Sequence, residues 1–197
     1  TVTDTRGRTV TIYQPIKTVV CTLSHHLETL RTLKVPSSTV IGAPENIEIY
    51  SIFPEYSKLP TVGHFYEPNV EKIIELHPDL VLVHPGSGNG TFGAYIGPLL
   101  EKLDGAGLTV ACFACSRPEI YSEEVEKLGK LFEHQEDAQK FIAFYNGFLE
   151  SIHERIEGLP DSQKPLVYGE YQRYRASTSD VSPIESAGGR SIFAGKG

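Results

Sequence analysis

Val70-Glu71-Lys72-Ile73-Ile74-Glu75-Leu76-His77-Pro78-Asp79-Leu80-Val81-Leu82-Val83 changes its hydrophobic period partway along, and that change decides the fold. From Val70 to Leu76 the apolar residues Val70, Ile73, Ile74 and Leu76 recur at helical spacing, which predicts a helix with those four on its buried side. From Asp79 to Val83 both faces of an extended chain are apolar, which predicts a strand covered above and below.

The same alternation extends in both directions. Lys17 to Leu23 is a short β-branched run. Ser24 is placed to cap a helix from about His25 to Leu33, with Leu27, Leu30 and Leu33 inward. Thr39 to Gly42 reads as a strand, Phe92 to Leu103 as a helix, Leu108 to Phe113 as a strand and Glu119 to Phe132 as a helix. Ahead of them, Val2 to Ile12 reads as a hairpin whose polar turn centres on Arg6-Gly7. Buried strands alternating with helices predict an α/β fold, a parallel sheet flanked by helices. Ligands of such sheets bind outside the carboxyl ends of the strands.

Beyond this unit the pattern changes. Glu136 to Glu157 is one uninterrupted helix, with Phe141, Tyr145, Phe148, Ile152 and Ile156 three or four residues apart. At about 1.5 Å per residue it spans roughly 33 Å. Gly158-Leu159-Pro160 stops it. A strand from Pro165 to Glu170, a polar loop and a helix from Pro183 through Ile192 follow. One strand and one helix cannot bury a core alone. The expected organisation is an amino-terminal α/β lobe (1–133), a long connecting helix (134–159) and the start of a second α/β lobe (160–197). Apolar surface left uncovered on an incomplete lobe would favour a homodimer.

Composition narrows the function. A formal net charge of -7 argues against binding a nucleic-acid backbone, which needs clustered positive charge. No stretch approaches the length of a membrane-spanning helix. No basic segment followed by an apolar core stands at Thr1, so an export signal is expected to be absent from this chain. Three cysteines are too few for a disulfide framework. Cys112 and Cys115 have the spacing of a redox pair or half a metal site, yet they follow a strand-like run and lack a second pair. Burial as small apolar residues, or a disulfide, is the simpler reading of the two. No nucleophile elbow, phosphate-binding loop with lysine, or dinucleotide fingerprint is present.

Four stretches together resemble the substrate-binding proteins of ABC importers for ferric siderophores, haem and cobalamin, two-lobed proteins joined by one long helix. They are the Val2 to Val10 hairpin, the Asn69 to Val81 segment (Asn-Val-Glu-Lys-Ile-Ile-Glu-Leu-His-Pro-Asp-Leu-Val), the long helix, and Ile184-Glu185-Ser186-Ala187-Gly188-Gly189-Arg190-Ser191-Ile192. The resemblance implies an extracytoplasmic, non-enzymatic protein without a cofactor of its own. Its implied cargo is a metal chelate (ferric siderophore, haem or cobalamin), and its implied partner is the ABC membrane permease. Glu71 matches the family's acidic residue that docks on the permease. An exposed carboxylate on a rigid helix suits such registration. Members of the family continue with a full second lobe, and only its beginning is present here.

Five loops follow the predicted strands: Ser24-His25-His26, Gly63-His64-Phe65-Tyr66-Glu67, His84-Pro85-Gly86-Ser87-Gly88, Cys115-Ser116 and Tyr171-Gln172-Arg173-Tyr174-Arg175. A parallel arrangement brings them to one edge. Polar loops are common, so no single residue carries weight; the convergence does. Rings beside arginines suit a bulky anionic chelate, because guanidinium pairs with carboxylate while rings give apolar and cation–π contact. The candidate ligand-binding set is His25, His26, His64, Tyr66, Ser87, Tyr171, Arg173 and Arg175. Two alternatives stand beside it: a chelatase-like tetrapyrrole enzyme, and a receptor holding a bare metal ion with His25, His26, His64 and His84. Against the second, adjacent histidines on a helix point about 100° apart.

Overall fold

Four of the predicted strands do assemble into one parallel sheet. The computed structural model describes residues 1–47, 52–86, 91–169 and 181–192. In chain order the first elements are β1 (Val2–Thr3), β2 (Thr9–Val10), β3 (Val19–Cys21), α1 (Ser24–Thr32) and β4 (Val40–Gly42). Next come β5 (Gly63–His64), β6 (Glu67–Pro68), α2 (Val70–Glu75), β7 (Leu80–Val83), α3 (Thr91–Gly105), β8 (Val110–Cys112), α4 (Pro118–Leu131) and α5 (Gln135–Ile156). The last are β9 (Leu166–Val167), α6 (Val181–Ser186) and β10 (Arg190–Ser191).

The central sheet runs β4-β3-β7-β8, all parallel, with Val20 opposite Val81 and Val81 opposite Val110. Its two faces bury different sets, as a period of two dictates. On one face Val19, Cys21, Leu80, Leu82, Ala111 and Phe113 pack with Leu27, Leu30 and Leu33 of α1 and its C-terminal end, and with Val125 and Leu128 of α4. On the other, Val20, Val81, Val83, Val110 and Cys112 pack with Ile73 of α2 and Ile96, Leu99, Leu100 and Leu103 of α3. Both faces are dry, which is why Leu80-Val81-Leu82-Val83 is continuously apolar. The order also reverses once. From β3 the chain moves outward to β4, then crosses back to β7 on the other side, so β3 and β7 diverge to helices on opposite faces. That reversal opens a crevice at their carboxyl ends.

Several local expectations are corrected. Ser24 is the first residue of α1 and not its cap; Leu23 holds the cap position without a side-chain hydrogen bond. Ile74 is exposed, because the six residues of α2 turn mainly Ile73 to the core. Its N-terminus is capped by Asn69, whose side-chain oxygen accepts from the Lys72 amide at 2.9 Å. Phe148, one of the apolar residues recurring along the long helix, is 60% exposed.

Packing divides the chain into two units, Thr1–Ile142 and Ala143–Gly197. Helix α5 is continuous through the dividing point. In the second unit β9 pairs in parallel with β10, and α6 ends at Ser186, before the strand, whereas the sequence predicted helix through Ile192. Gly188 makes that return possible. Its φ is +81°, and an added Cβ would lie 2.6 Å from Ile156 Cγ2.

Candidate ligand-binding site

At the mouth of the β3–β7 crevice Thr22 follows β3 and His84 follows β7. Thr22 is held by its amide and its hydroxyl, both donating to Leu82 O at 3.1 Å. His84 is half-buried, and its Nδ1 accepts from the Gly86 amide at 3.0 Å. That bond leaves the proton on Nε2. Burial pushes the His84 pKa down to about 4, with the nearby His25 and Arg117 adding to the effect. The ring is therefore neutral at physiological pH.

The hairpin β5–β6 supplies the next wall. His64 pairs with Glu67, leaving Phe65 and Tyr66 at the turn. Their rings lie 3.9 Å apart by centroid, and His64 stacks on Tyr66 at 5.2 Å and 21°. The Tyr66 amide donates to His64 Nδ1 at 3.3 Å, and Tyr66 stays 42% exposed. Tyr95, Ile96 and Leu99 of α3 complete a shallow pocket with Thr22, Phe65, Tyr66, Val83, His84 and Gly86. Among the described residues this wall has no formally charged side chain. Burial, and then Glu67, raise the Tyr95 pKa, so its hydroxyl keeps its proton.

Tyr95 and Leu99 also face a larger groove of about 560 Å³, which includes Glu67, Asn69, Glu71 and Lys102. Glu71 is exposed in the first turn of α2.

The predicted site residues separate accordingly. His64, Tyr66 and the half-buried His84 are brought to one edge, and His25 is exposed at the start of α1 nearby. His26 is corrected: it is fully buried, with Nε2 2.7 Å from Phe113 O. A carbonyl only accepts, so Nε2 must donate, and Nδ1 is left as a buried acceptor without a partner. Burial pushes its pKa down to about 3 against the Phe113 bond, with His84 and His25 adding to the fall. His26 belongs to the core and cannot reach a solute from there. Ser87, Tyr171, Arg173 and Arg175 lie outside the described residues. Among the described residues no group of three or more His, Cys, Asp or Glu side chains is disposed to hold a metal ion.

Cys112 and Cys115 are free thiols on opposite faces of the sheet, Cys112 in the α3 layer and Cys115 in the α4 layer. Burial pushes the Cys112 thiol up to about 12 and raises that of Cys115 further. Both are protonated and shielded, the reverse of a reactive pair.

Four contributors escape a reading of the sequence. The Asp4 carboxylate is buried: Oδ1 accepts from the Arg6 and Arg8 amides at 2.9 Å, and Oδ2 from the Cys112 amide at 3.1 Å. It pins the first hairpin to the end of β8. From there the Arg6 guanidinium donates to Pro85 O at 2.6 Å, beside His84. Glu124 is buried in α4 and accepts from the Ala114 amide at 2.8 Å, the Cys115 amide at 2.7 Å and the Thr5 hydroxyl. It holds the loop that delivers Arg117 to the start of α4. The spacing of Asp4 and Glu124 marks them as ordinary surface charges, and only the tertiary fold turns them inward.

Comparison with known proteins places these features in a family context. The family model described as periplasmic binding protein matches residues 19–196. The chain is 28% identical over 171 residues to an uncharacterised ABC transporter substrate-binding lipoprotein, YvrC, of Bacillus subtilis, covering 85% of this chain and 51% of the relative. It is 26% identical over 169 residues to the vitamin B12-binding protein of Photorhabdus laumondii, covering 81% of this chain and 59% of that one. The chain thus spans little more than half the length of these relatives. Among solved structures, the TroA-like periplasmic binding protein FepB of Veillonella parvula superposes with a TM-score of 0.75 at 22% identity, covering 98% of this chain and 62% of that one.

Proposed function

Because the chain belongs to the periplasmic binding protein family, we propose that the whole protein is the extracytoplasmic solute-binding subunit of an ABC importer, carrying a metal chelate to a membrane permease. The observation that carries this reading is the pocket at the strand-order reversal, where Phe65, Tyr66, His84 and Tyr95 line a recess at the carboxyl edge above the buried Thr22. A neutral, ring-lined wall suits the organic periphery of a chelate such as a ferric siderophore, haem or corrinoid. The relation to a vitamin B12-binding protein supports cargo of this size. Among the described residues the pocket holds no group arranged to activate a nucleophile, and the proposed function is binding without turnover.

Docking would use the exposed surface of α2. Glu71 projects from a helix whose start is fixed by the Asn69 cap, so its carboxylate has a defined register for a cationic partner. Ser87, Tyr171, Arg173 and Arg175 complete the proposed ligand-binding set.

Native mass spectrometry tests the reading. The purified chain is sprayed alone and with ferric siderophores, haem or cobalamin, and one chelate should be retained at a 1:1 ratio. Retention of none would overturn the assignment.

A further inference from the structure

The aromatic pocket has a counterpart on the other side of His84. Arg6 reaches the β7 end from the first hairpin, and its Nη1 donates to Pro85 O at 2.6 Å. That bond occupies one of the five guanidinium N–H groups. Arg117 stands at the cap of α4, two residues after the Cys115 amide is fixed by Glu124. Both arginines are exposed, and neither has a carboxylate partner among the described residues. Arg8 and Arg31, by contrast, lie within 4 Å of carboxylates.

We propose that the carboxyl edge of the first unit is a two-part recognition surface, with the Phe65, Tyr66 and Tyr95 rings on one side of His84 and the Arg6 and Arg117 guanidiniums on the other, selecting a chelate that has an aromatic body and an anionic flank. The proposal rests on the solute-binding reading and narrows it to one cargo class. The rings offer flat apolar contact to an aryl or macrocyclic face. The guanidiniums offer charge-assisted, bidentate hydrogen bonds to carboxylate or phenolate oxygens.

The overall charge does not oppose this. A formal net charge of -7 repels an anion at long range. At physiological salt that field is screened beyond about 8 Å, and the two local cations then dominate at contact. His84, between the two surfaces, is neutral and adds no competing charge. A cationic chelate would meet two like charges, and a bare oxyanion would leave the rings unused.

The test is a competition on the 197-residue chain between two anionic aromatic chelates, haem and a hexadentate ferric tricatecholate, and two controls, a cationic ferric trihydroxamate and cyanocobalamin. The anionic pair should bind at least roughly tenfold more tightly than either control. Arg117→Gln should weaken the anionic pair by roughly tenfold and leave the controls unchanged. Arg6→Gln should act in the same direction. Raising salt above the physiological range, where the long-range field is already screened, should weaken the anionic pair selectively, a readout that needs no variant. Equal or tighter binding of a control would overturn this proposal while leaving the solute-binding reading standing. Unchanged affinity in both arginine variants would do the same. Failure of all four chelates to bind would overturn both.

Discussion

Acidification from pH 7 to pH 5 should destabilise the first unit, chiefly through His26. An unfolded histidine titrates near 6.5, whereas burial holds His26 near 3 in the folded chain. The sign follows from linkage. Above about pH 6.5 both states are neutral at this site and stability is at its full value. As pH falls, the unfolded state takes up the proton first, so stability declines until the folded pKa near 3 is reached. At pH 5 the loss from this one group is about 2 kcal/mol, from roughly 1.4 kcal/mol per pH unit over the interval below 6.5. His84 contributes with the same sign but less, because it is partly exposed and water screens it. Carboxylates with lowered pKa, such as Asp79 and Asp137, lose their contribution at lower pH, so this window separates them from the histidines. The assay is urea unfolding at several pH values, followed by tyrosine near-UV circular dichroism, to which the fully buried Tyr56 contributes. The comparison is His26→Gln, which retains an N–H for Phe113 O but cannot be protonated. Its stability should fall between pH 7 and pH 5 by about 2 kcal/mol less than that of the wild type. Parallel pH profiles would refute the reasoning, whatever the variant costs at pH 7.

Three further outcomes follow from single contacts. Glu124→Gln replaces a buried acceptor-only carboxylate with a group that must turn an NH₂ toward the Ala114 or Cys115 amide. A loss of about 2–3 kcal/mol in urea unfolding is expected, with Arg117-dependent binding weakened as well. Gly188→Ala should cost at least about 1 kcal/mol, since the residue combines φ +81° with a 2.6 Å approach to Ile156. Far-UV circular dichroism during urea unfolding would register it. Cys21, Cys112 and Cys115 should all resist iodoacetamide at pH 8 in the folded chain and react only in urea, because all three are buried and their thiols titrate far above that pH. Mass spectrometry would count the adducts.

The fold was readable where the core is dry on both sides. Leu80 to Val83 has no polar position to confuse the assignment, and Leu27, Leu30 and Leu33 repeat at helical spacing because one sheet face covers all three. Legibility failed where exposure depends on how far an element extends. Ile74 looks like a core residue, but α2 ends before a second turn could cover it. His25 and His26 are indistinguishable as letters. Their side chains diverge by about 100°, and only packing against Phe113 decides that His26 turns inward. Ring residues of the candidate site were visible because His64-Phe65-Tyr66 is an unusual cluster. In the sequence Arg6 marks only the turn of a hairpin, since its proximity to Pro85 depends on where that hairpin docks.

That docking explains how two carboxylates are buried in the first unit, Asp4 with the Arg8 guanidinium 3.9 Å away and Glu124 with no ion pair among the described residues. Asp4 accepts three backbone amides, and Glu124 accepts two amides and a hydroxyl. Amide donors compensate a buried carboxylate only when the chain is bent to point them at it. Cys115 accordingly takes φ +53° as its amide meets Glu124. An apolar substitute of similar shape could fill either space, but it could not dictate the direction of the loop. The carboxylates therefore fix two chain segments, the Asp4 to Arg8 turn and the Ala114 to Arg117 loop, whose guanidiniums stand beside the β7 end. Cations on such anchored segments lose less freedom on binding than cations on free loops. The stiffness of this edge and its charge thus have one structural origin, and loosening either carboxylate should weaken anionic cargo before it unfolds the sheet.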